Sequence, residues 1–391
     1  MNGAGTLAQH FYQLYLAPLS DSSWSDRRAR LPWEVFTQLM QRALRPLVAR
    51  RRHPEAFWRG WRLMATDGTQ FSVTNTPVIK ATQTKAKARR GRAAFVKIVT
   101  GVLLEIGLHN PVAAAIGHQG QSEWELGLSL LARLPKKALL LADRLYGCAA
   151  FAWKALEACQ RVGSHFLIRA RTQIQVQEVR RLRDGSRLVR VPVRQKGKPR
   201  VVLHWLSLRE IRVRIARNGF RTTQLQLWTT LLDPKEAPAQ ELAQLYAKRW
   251  EHELFYRQLK HQLRKSEVLQ SHTMETAAQE IAAMIIGAAV LAQERDRAAA
   301  GKVPVLRVSF IKLLELMRPL WLVFALGDDL LEEWQKRQLT ERFYAQARRC
   351  LTPKHRDRSC PRAVRQPVSG WPRLLQNTSQ EGPADIIIVR S

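Results

Sequence analysis

The chain has 391 residues, of which 46% are hydrophobic, so it can bury at least one large core and is expected to form two or three structural units. Its 64 Lys and Arg against 32 Asp and Glu leave a formal charge of +32, which points to a polyanionic partner such as nucleic acid, with a generally basic, ribosome-associated protein as the alternative. Four widely spaced cysteines and the lack of a basic head with an apolar run exclude a disulfide framework and a secretory signal, so we expect a cytoplasmic protein with reduced thiols.

Residues 1–60 are expected to be helical. Apolar residues recur at three- and four-residue spacing between Leu31 and Leu44, which makes one apolar stripe, and polar or basic residues occupy the remaining face.

Residues 61–171 predict a mixed α/β sheet. Ser122 and Glu125 form a capping-box pattern that opens a helix, and the apolar run Ala138–Ala142 predicts a buried strand that ends on Asp143. The remaining strands are predicted at 62–73, 95–106, 111–116 and 164–169, with a helix at 148–162. This order of elements is that of a ribonuclease-H-like sheet flanked by helices.

A β-rich insertion is predicted at 172–232, where the alternation has period two and turn signals occur at Asp184-Gly185 and Asn218-Gly219. Residues 233–270 contain a long helical pattern at 239–263, which would complete the sheet domain. Residues 271–391 predict a mainly helical C-terminal region with an irregular basic tail after Cys350. The apolar run 281–292 is too short to cross a bilayer and predicts a buried helix, so no membrane partner is expected.

Four polar residues share one face of the 239–263 helix. At 100° per residue, Tyr246, Arg249, Glu253 and Lys260 fall within a narrow sector. A carboxylate between two cations and a phenol is suited to hold a metal beside a phosphodiester. The alternative is a solvated helix that ion pairs four residues apart merely support.

Three motifs together resemble the insertion sequence four family of DDE transposases. The spacing Tyr-(2)-Arg-(3)-Glu-(6)-Lys from Tyr246 to Lys260 matches the family signature at every position. Asp67 opens an Asp-Gly-Thr triplet on the first predicted strand, and Asp143 precedes an Arg and a Tyr-Gly pair. The resemblance covers roughly residues 60–375.

The resemblance implies a DNA-cutting and DNA-joining enzyme whose catalytic and metal-binding carboxylates are Asp67, Asp143 and Glu253. Two Mg²⁺ ions, with Mn²⁺ as a substitute, would be held by these hard oxygen donors. Tyr246, Arg249 and Lys260 would bind DNA phosphate near the cleaved end.

The expected activity is metal-dependent cleavage at insertion-sequence ends followed by strand transfer into target DNA. The implied partners are double-stranded DNA, both terminal inverted repeats and target, and a second copy of the chain in a homodimeric DNA complex. Residues 1–60 would contact DNA, and the expected location is the bacterial cytoplasm, at the nucleoid when DNA is bound.

Two other functions stay open from the sequence. A shortened N-terminal region before Asp67 would fit an inactive or truncated transposase relic that only binds DNA, and a ribonuclease-H-like nuclease would only hydrolyse. Of the neighbouring residues, His252 points about 100° from Glu253 and is expected to be a surface or packing residue. Trp250 is expected in the core, and Trp205 or Trp228 is a candidate for stacking on an extruded base.

Overall fold

The computed structural model describes residues 12, 20–83, 85, 87–88, 91–216, 223–263, 266–327, 329–353, 358–359, 380–381 and 385–389. The predicted turn at Asn218-Gly219 lies outside these residues. The helices are α1 (Asp21–Ala29), α2 (Trp33–Ala43), α3 (Pro77–Thr82), α4 (Glu123–Leu130), α5 (Ala149–Arg161), α6 (Ala239–Tyr246), α7 (Trp250–Arg257), α8 (Met274–Ala299), α9 (Phe310–Gly327) and α10 (Glu333–Arg349).

The strands include several that are only two residues long. They are β1 (Phe57–Trp58), β2 (Trp61–Val73), β3 (Lys87–Ala88), β4 (Gly91–Arg92), β5 (Val96–Glu105), β6 (Asn110–Ile116), β7 (Ala138–Ala142), β8 (His165–Arg169), β9 (Gln177–Arg181), β10 (Arg187–Gln195), β11 (Lys198–Ala216), β12 (Thr223–Thr229), β13 (Val268–Leu269), β14 (Arg358–Ser359), β15 (Gln380–Glu381) and β16 (Asp385–Ile388).

The chain divides into two compact units. The first comprises Met1–Leu139, Val162–Ser164 and Arg249–Thr352, and the second comprises Leu140–Arg161, His165–Lys248 and Pro353–Ser391. Each unit is therefore built from separate stretches of the chain. Apart from α3 and the short β3–β4 pair, which were not predicted, the order of elements from β2 to β8 is the predicted one and confirms the α/β class with a ribonuclease-H-like succession of strands and helices.

In the first unit, β6, β5 and β2 form an antiparallel sheet, and β13 adds to β2 in parallel, so the sheet is mixed. The register places Asp67 opposite Val102. Ser122 and Glu125 form the predicted capping box at the start of α4, which packs on this sheet.

Helix α8 contains the apolar run predicted to be a buried helix. Ile281 and Ile285 are fully buried in a cluster with Phe71 and Ile98 from the sheet. By length and composition α8 is also the one helix in the described part of the chain that passes a test for crossing a membrane, with half of its most apolar window buried. Core helices pass the same test, and the packing of α8 on the sheet accounts for its apolar face.

The N-terminal region is less helical than predicted. Helix α2 ends at Ala43, because Pro46 disfavours helical backbone ahead of it, and an extended segment follows. Buried Glu105 holds that segment by accepting the backbone N–H of Leu47 at 2.8 Å, and it also pairs with Arg62.

The second unit contains the sheet order β7-β8-β12-β11-β10-β9. Strands β9 to β12 form the predicted β insertion as antiparallel neighbours, with Asp184-Gly185 between β9 and β10. The tail is not wholly irregular, because β16 pairs with β11 at Val213–Ala216. A row of isoleucines in an otherwise polar tail supplies the β propensity for this strand.

Candidate active site

The helix predicted at 239–263 is not one regular helix. It consists of α6, a 3-10 turn at Ala247–Arg249, α7 and a π-helical segment at Gln258–Leu263. A 3-10 turn has about 3.0 residues per turn against about 3.6 in an α-helix, so its residues do not advance by 100° each. The uniform step of 100° that placed all four signature residues on one face is therefore wrong.

Arg249 joins two of the three predicted carboxylates. Its Nη1 lies 3.2 Å from Oδ2 of Asp67, and its Nη2 lies 2.9 Å from Oε1 of Glu253. The other oxygen of Asp67, Oδ1, accepts the backbone N–H of Gly68 at 2.9 Å. The Asp67 side chain is 13% exposed and that of Glu253 is 39% exposed. A strand residue and a helix residue therefore converge on one guanidinium at the protein surface.

Tyr256 and His252 attach α7 to the sheet at the level of Asp67. The hydroxyl of Tyr256 donates to the backbone carbonyl of Asp67 at 2.8 Å, and Nε2 of His252 donates to the carbonyl of Val102 at 3.0 Å. Asp67 and Val102 are cross-strand partners, so both bonds reach the same register position. Burial lowers the pKa of His252 to about 4, which keeps the ring neutral near pH 7. His252 is thus a buried packing residue that positions the Glu253 helix.

Lys260 lies beside β2. Its Nζ donates to Oγ1 of Thr69 at 2.5 Å and to the carbonyl of Gln70 at 2.9 Å. Alternate residues of a strand share a face, so Thr69 and Asp67 point the same way. Lys260 therefore brings a positive charge to the face of β2 that carries the first predicted carboxylate.

Buried His109 contacts the π-helical segment. Nδ1 of His109 donates to Oε1 of Gln258 at 2.9 Å, and its Nε2 lies 3.8 Å from the carboxylate of Glu251. Burial is the main cause that lowers the pKa of His109 to about 3, and the nearby Arg295 and His252 contribute smaller effects in the same direction.

The stability of the protein is expected to fall as pH decreases from about 6.5 towards about 3, partly because of His109. The unfolded chain binds a proton on this ring near pH 6.5, whereas the folded protein binds it only near pH 3, so acid favours unfolding across that window. His109→Asn removes the titration, and asparagine tolerates the positive φ of 54° at this position. In urea unfolding at about pH 7 and about pH 5, the variant should lose less stability on acidification than the unsubstituted protein. Equal losses would contradict the assignment.

Asp143 follows β7 in the second unit, at the end of the buried strand that the sequence predicts. Its Oδ1 accepts the backbone N–H of Leu145 at 2.7 Å, which turns the chain directly after the strand. The side chain is half-buried, and the loop it opens runs to the start of α5.

Arg171 holds this loop and was missed from the sequence. Its Nη2 donates to the carbonyl of Leu145 at 2.6 Å, its Nε donates to that of Arg144 at 3.3 Å, and its backbone N–H donates to the carbonyl of Gly147 at 2.9 Å. No motif links residue 171 to residue 144. The only signal was that Arg171 lies just beyond the strand predicted at 164–169.

Tyr246 is buried in the second unit. Its hydroxyl donates to the carbonyl of Ala142 at 3.2 Å, one residue before Asp143. In this arrangement the phenol connects α6 to the end of β7, and its predicted contact with DNA phosphate stays a prediction.

The tryptophans differ from expectation. Trp250 is 58% exposed, so its predicted place in the core is wrong, because the face of α7 that is buried carries His252, Phe255 and Tyr256 instead. Trp228 is fully buried and donates Nε1–H to Glu210 at 3.2 Å, so its ring is not accessible to a base. Trp205 is 39% exposed, and the guanidinium of Arg190 lies 5.4 Å from the centre of its ring.

The carboxylates have the chemistry that a hard divalent cation requires. Asp67 and Glu253 present oxygen donors, which Mg²⁺ and Mn²⁺ prefer, and they already converge on one positive charge. In the part of the chain that the structure describes, no three His, Cys, Asp or Glu side chains lie together as a ready metal cluster. The oxygens of Asp67 and Glu253 are of the type that binds a divalent cation, and Arg249 lies between the two side chains.

The sequence of this chain is similar to that of known proteins. A family model described as the transposase DDE domain matches residues 58–291. Transposase InsG for insertion sequence element IS4 of Escherichia coli (strain K12) is 28% identical over 218 residues, which cover 55% of this chain and 48% of that protein. The chain thus spans about half the length of this curated relative.

A solved structure was also compared. The cryo-EM structure of piggyBac transposase synaptic complex with hairpin DNA has a TM-score of 0.38 and 9% sequence identity, covering 72% of this chain and 57% of that one. The family assignment depends on the family model, which extends over more than half of the chain and includes Asp67, Asp143 and Glu253. The chain belongs to the DDE transposase family that its motifs resemble.

Proposed function

We propose that the chain catalyses DNA transposition: metal-dependent cleavage at insertion-sequence ends, followed by transfer of the cut strand into target DNA. The observation that carries the proposal is the convergence of Asp67 and Glu253 on Arg249. The two carboxylates lie together although they come from a strand and a helix, and carboxylates are the ligand type that phosphodiester chemistry uses.

Asp67, Asp143 and Glu253 are the proposed ligands of two Mg²⁺ ions, for which Mn²⁺ can substitute. When bound, such ions activate the attacking oxygen and stabilise the leaving oxygen of a phosphodiester. The chain supplies the carboxylates on fixed supports. Asp67 is held by the backbone N–H of its own neighbour, Glu253 by the attachment of α7, and Asp143 by the turn that Arg171 stabilises.

The cations next to the carboxylates are the proposed DNA contacts. Arg249 and Lys260 flank the face of β2 that bears Asp67. There the planar guanidinium of Arg249 and the ammonium group of Lys260 would contact phosphate oxygens. The formal charge of +32 favours double-stranded DNA as the partner, both as transposon ends and as target. A homodimer on DNA and a location at the bacterial nucleoid complete the proposal.

DNA affinity is expected to depend steeply on salt. If cations contact about 8 phosphates, the logarithm of the binding constant should fall with the logarithm of salt concentration with a slope of about −7. Lys260→Gln should reduce the magnitude of that slope by about 1. The control is Lys312→Gln, which removes the same charge from a lysine paired with Glu315 on α9. A slope near zero would refute the DNA partner, and an unchanged slope for Lys260→Gln would remove that residue from the contact.

The function is tested with the purified chain, Mg²⁺ or Mn²⁺, and labelled duplexes that carry the DNA flanking its own reading frame. Cleavage at defined ends and joining to a target plasmid is the expected result. Cleavage without joining would favour a nuclease that only hydrolyses. Salt-sensitive binding without cleavage under either metal would favour the inactive relic.

A further inference from the structure

Arg249 and a divalent cation require the same oxygens. The guanidinium donates one N–H to Oδ2 of Asp67 and another to Oε1 of Glu253, and its side chain is only 16% exposed. Asp67 has its second oxygen on the backbone N–H of Gly68. A cation that approaches both carboxylates therefore meets, on each of them, one oxygen that already accepts a hydrogen bond from this guanidinium.

The guanidinium cannot release the two carboxylates by losing a proton, because arginine stays protonated under all ordinary conditions. It can only move away, and the side chain is long enough to do so by changing rotamers. Leaving both carboxylates without a cation would place two like charges close together, which is unfavourable. Arg249 compensates both carboxylates at once, and a bound metal could do the same.

We propose that Arg249 is an internal counter-ion that competes with the divalent metal for Asp67 and Glu253, so that the DNA-free protein binds metal weakly. This inference rests on the proposed function, because it takes the two carboxylates as metal ligands. A DNA phosphate that accepts the guanidinium in a bidentate contact frees the carboxylates at the same moment. Metal binding and DNA binding are then coupled through one side chain, and coupling between two binding sites is typically about 5- to 150-fold.

Removing Arg249, a residue next to the metal ligands, is therefore expected to strengthen metal binding. In the absence of DNA, Arg249→Gln should bind Mn²⁺ at least about fivefold more tightly than the unsubstituted protein, as measured by electron paramagnetic resonance of free Mn²⁺. Arg249→Lys keeps the charge but cannot donate in two fixed directions, so its affinity should lie between the two.

Arg257→Gln is the matched control. Arg257 is exposed on the same helix, and its removal changes net charge by the same amount without touching either carboxylate. Its Mn²⁺ affinity should equal that of the unsubstituted protein, which separates local competition from a general field effect. Asp67→Asn combined with Glu253→Gln should abolish the tight Mn²⁺ binding of Arg249→Gln, which identifies the site being measured.

Unchanged or weaker Mn²⁺ binding by a folded Arg249→Gln protein would overturn the proposal and leave Arg249 as support for the helix. Folding is checked by thermal unfolding monitored by circular dichroism. If Arg249→Gln unfolds, Arg249→Lys decides, because unchanged or weaker Mn²⁺ binding by that variant also overturns the proposal. The inference and the proposed function fail separately. A protein that cuts DNA but shows no gain in Mn²⁺ affinity refutes only the inference, and a gain without any cleavage refutes only the function.

Discussion

Replacement of any one of the predicted carboxylates by its amide, Asp67→Asn, Asp143→Asn or Glu253→Gln, is expected to reduce DNA cleavage by at least about 1,000-fold. Removing one group that stabilises charge in a transition state typically costs about 100- to 1,000-fold, and the loss of a metal ligand should reach or exceed the upper value. The amides are nearly isosteric, and an amide oxygen at position 67 can still accept the N–H of Gly68, so the fold should persist.

DNA binding by the three variants should be unchanged or tighter, because each substitution removes a negative charge from the proposed phosphate-binding surface. Glu251→Gln is the matched control. Glu251 lies on the same helix as Glu253, but its carboxylate accepts the backbone N–H of Gly107 at 2.7 Å and is part of the fold. That variant should cut DNA within a few-fold of the normal rate. If one of the three amide variants cuts DNA within about tenfold of the normal rate, the residue that it replaces does not belong to the catalytic set.

A second large effect is expected from Gly147→Ala in the loop after Asp143. A Cβ atom at Gly147 would lie 2.0 Å from the carbonyl oxygen of Arg169 and 2.9 Å from Cα of Ala170, so backbone must move. Overpacking typically costs about 1–3 kcal/mol, and a clash with backbone rather than with a flexible side chain belongs at or above the upper end. Cleavage should fall as well, because the displaced segment carries Asp143.

Gly287→Ala is the matched substitution. Gly287 lies inside α8, and a Cβ there meets only Leu263 at an ordinary 3.8 Å, so alanine should stabilise the protein by up to about 1 kcal/mol through its helix propensity. Urea unfolding of both variants checks the contrast. If Gly147→Ala is as stable as Gly287→Ala and cuts DNA normally, the loop after Asp143 is not tightly held.

Local patterns predicted the parts of the fold that depend on local physics. The apolar run Ala138–Ala142 became the fully buried β7, and the box formed by Ser122 and Glu125 became the start of α4. Both features depend on residues that are close in sequence. An unbroken apolar run is typical of a strand buried on both faces, and a capping box joins two side chains of the same helix start.

The failures in the signature helix have a different origin. Trp250 was expected in the core, but the buried face of α7 carries His252, Phe255 and Tyr256, and a 3-10 turn and a π-helical segment interrupt the predicted helix. The π-helical segment contacts residues that are distant in sequence, Lys260 with Thr69 and Gln258 with His109, and no local pattern contains these contacts.

The positioning contacts were out of reach of the sequence for a related reason. The bonds from Tyr256 and His252 reach Asp67 and Val102 because those residues are cross-strand partners, and strand register is a property of the assembled sheet. The spacing of the signature could place Arg249 near Glu253, but not against Asp67, which is 182 residues away in the chain.

That separation has a consequence for synthesis. At about 5–20 residues per second, a ribosome needs about 10 to 40 s after making Asp67 before it makes Arg249 and Glu253. The first unit also lacks α7 and α8 during that interval, because both follow the stretch that forms most of the second unit. A nascent or prematurely terminated chain that stops before residue 249 therefore has neither the paired carboxylates nor a closed core. The order of elements along the chain delays the proposed metal-binding pair until most of the protein has been synthesised.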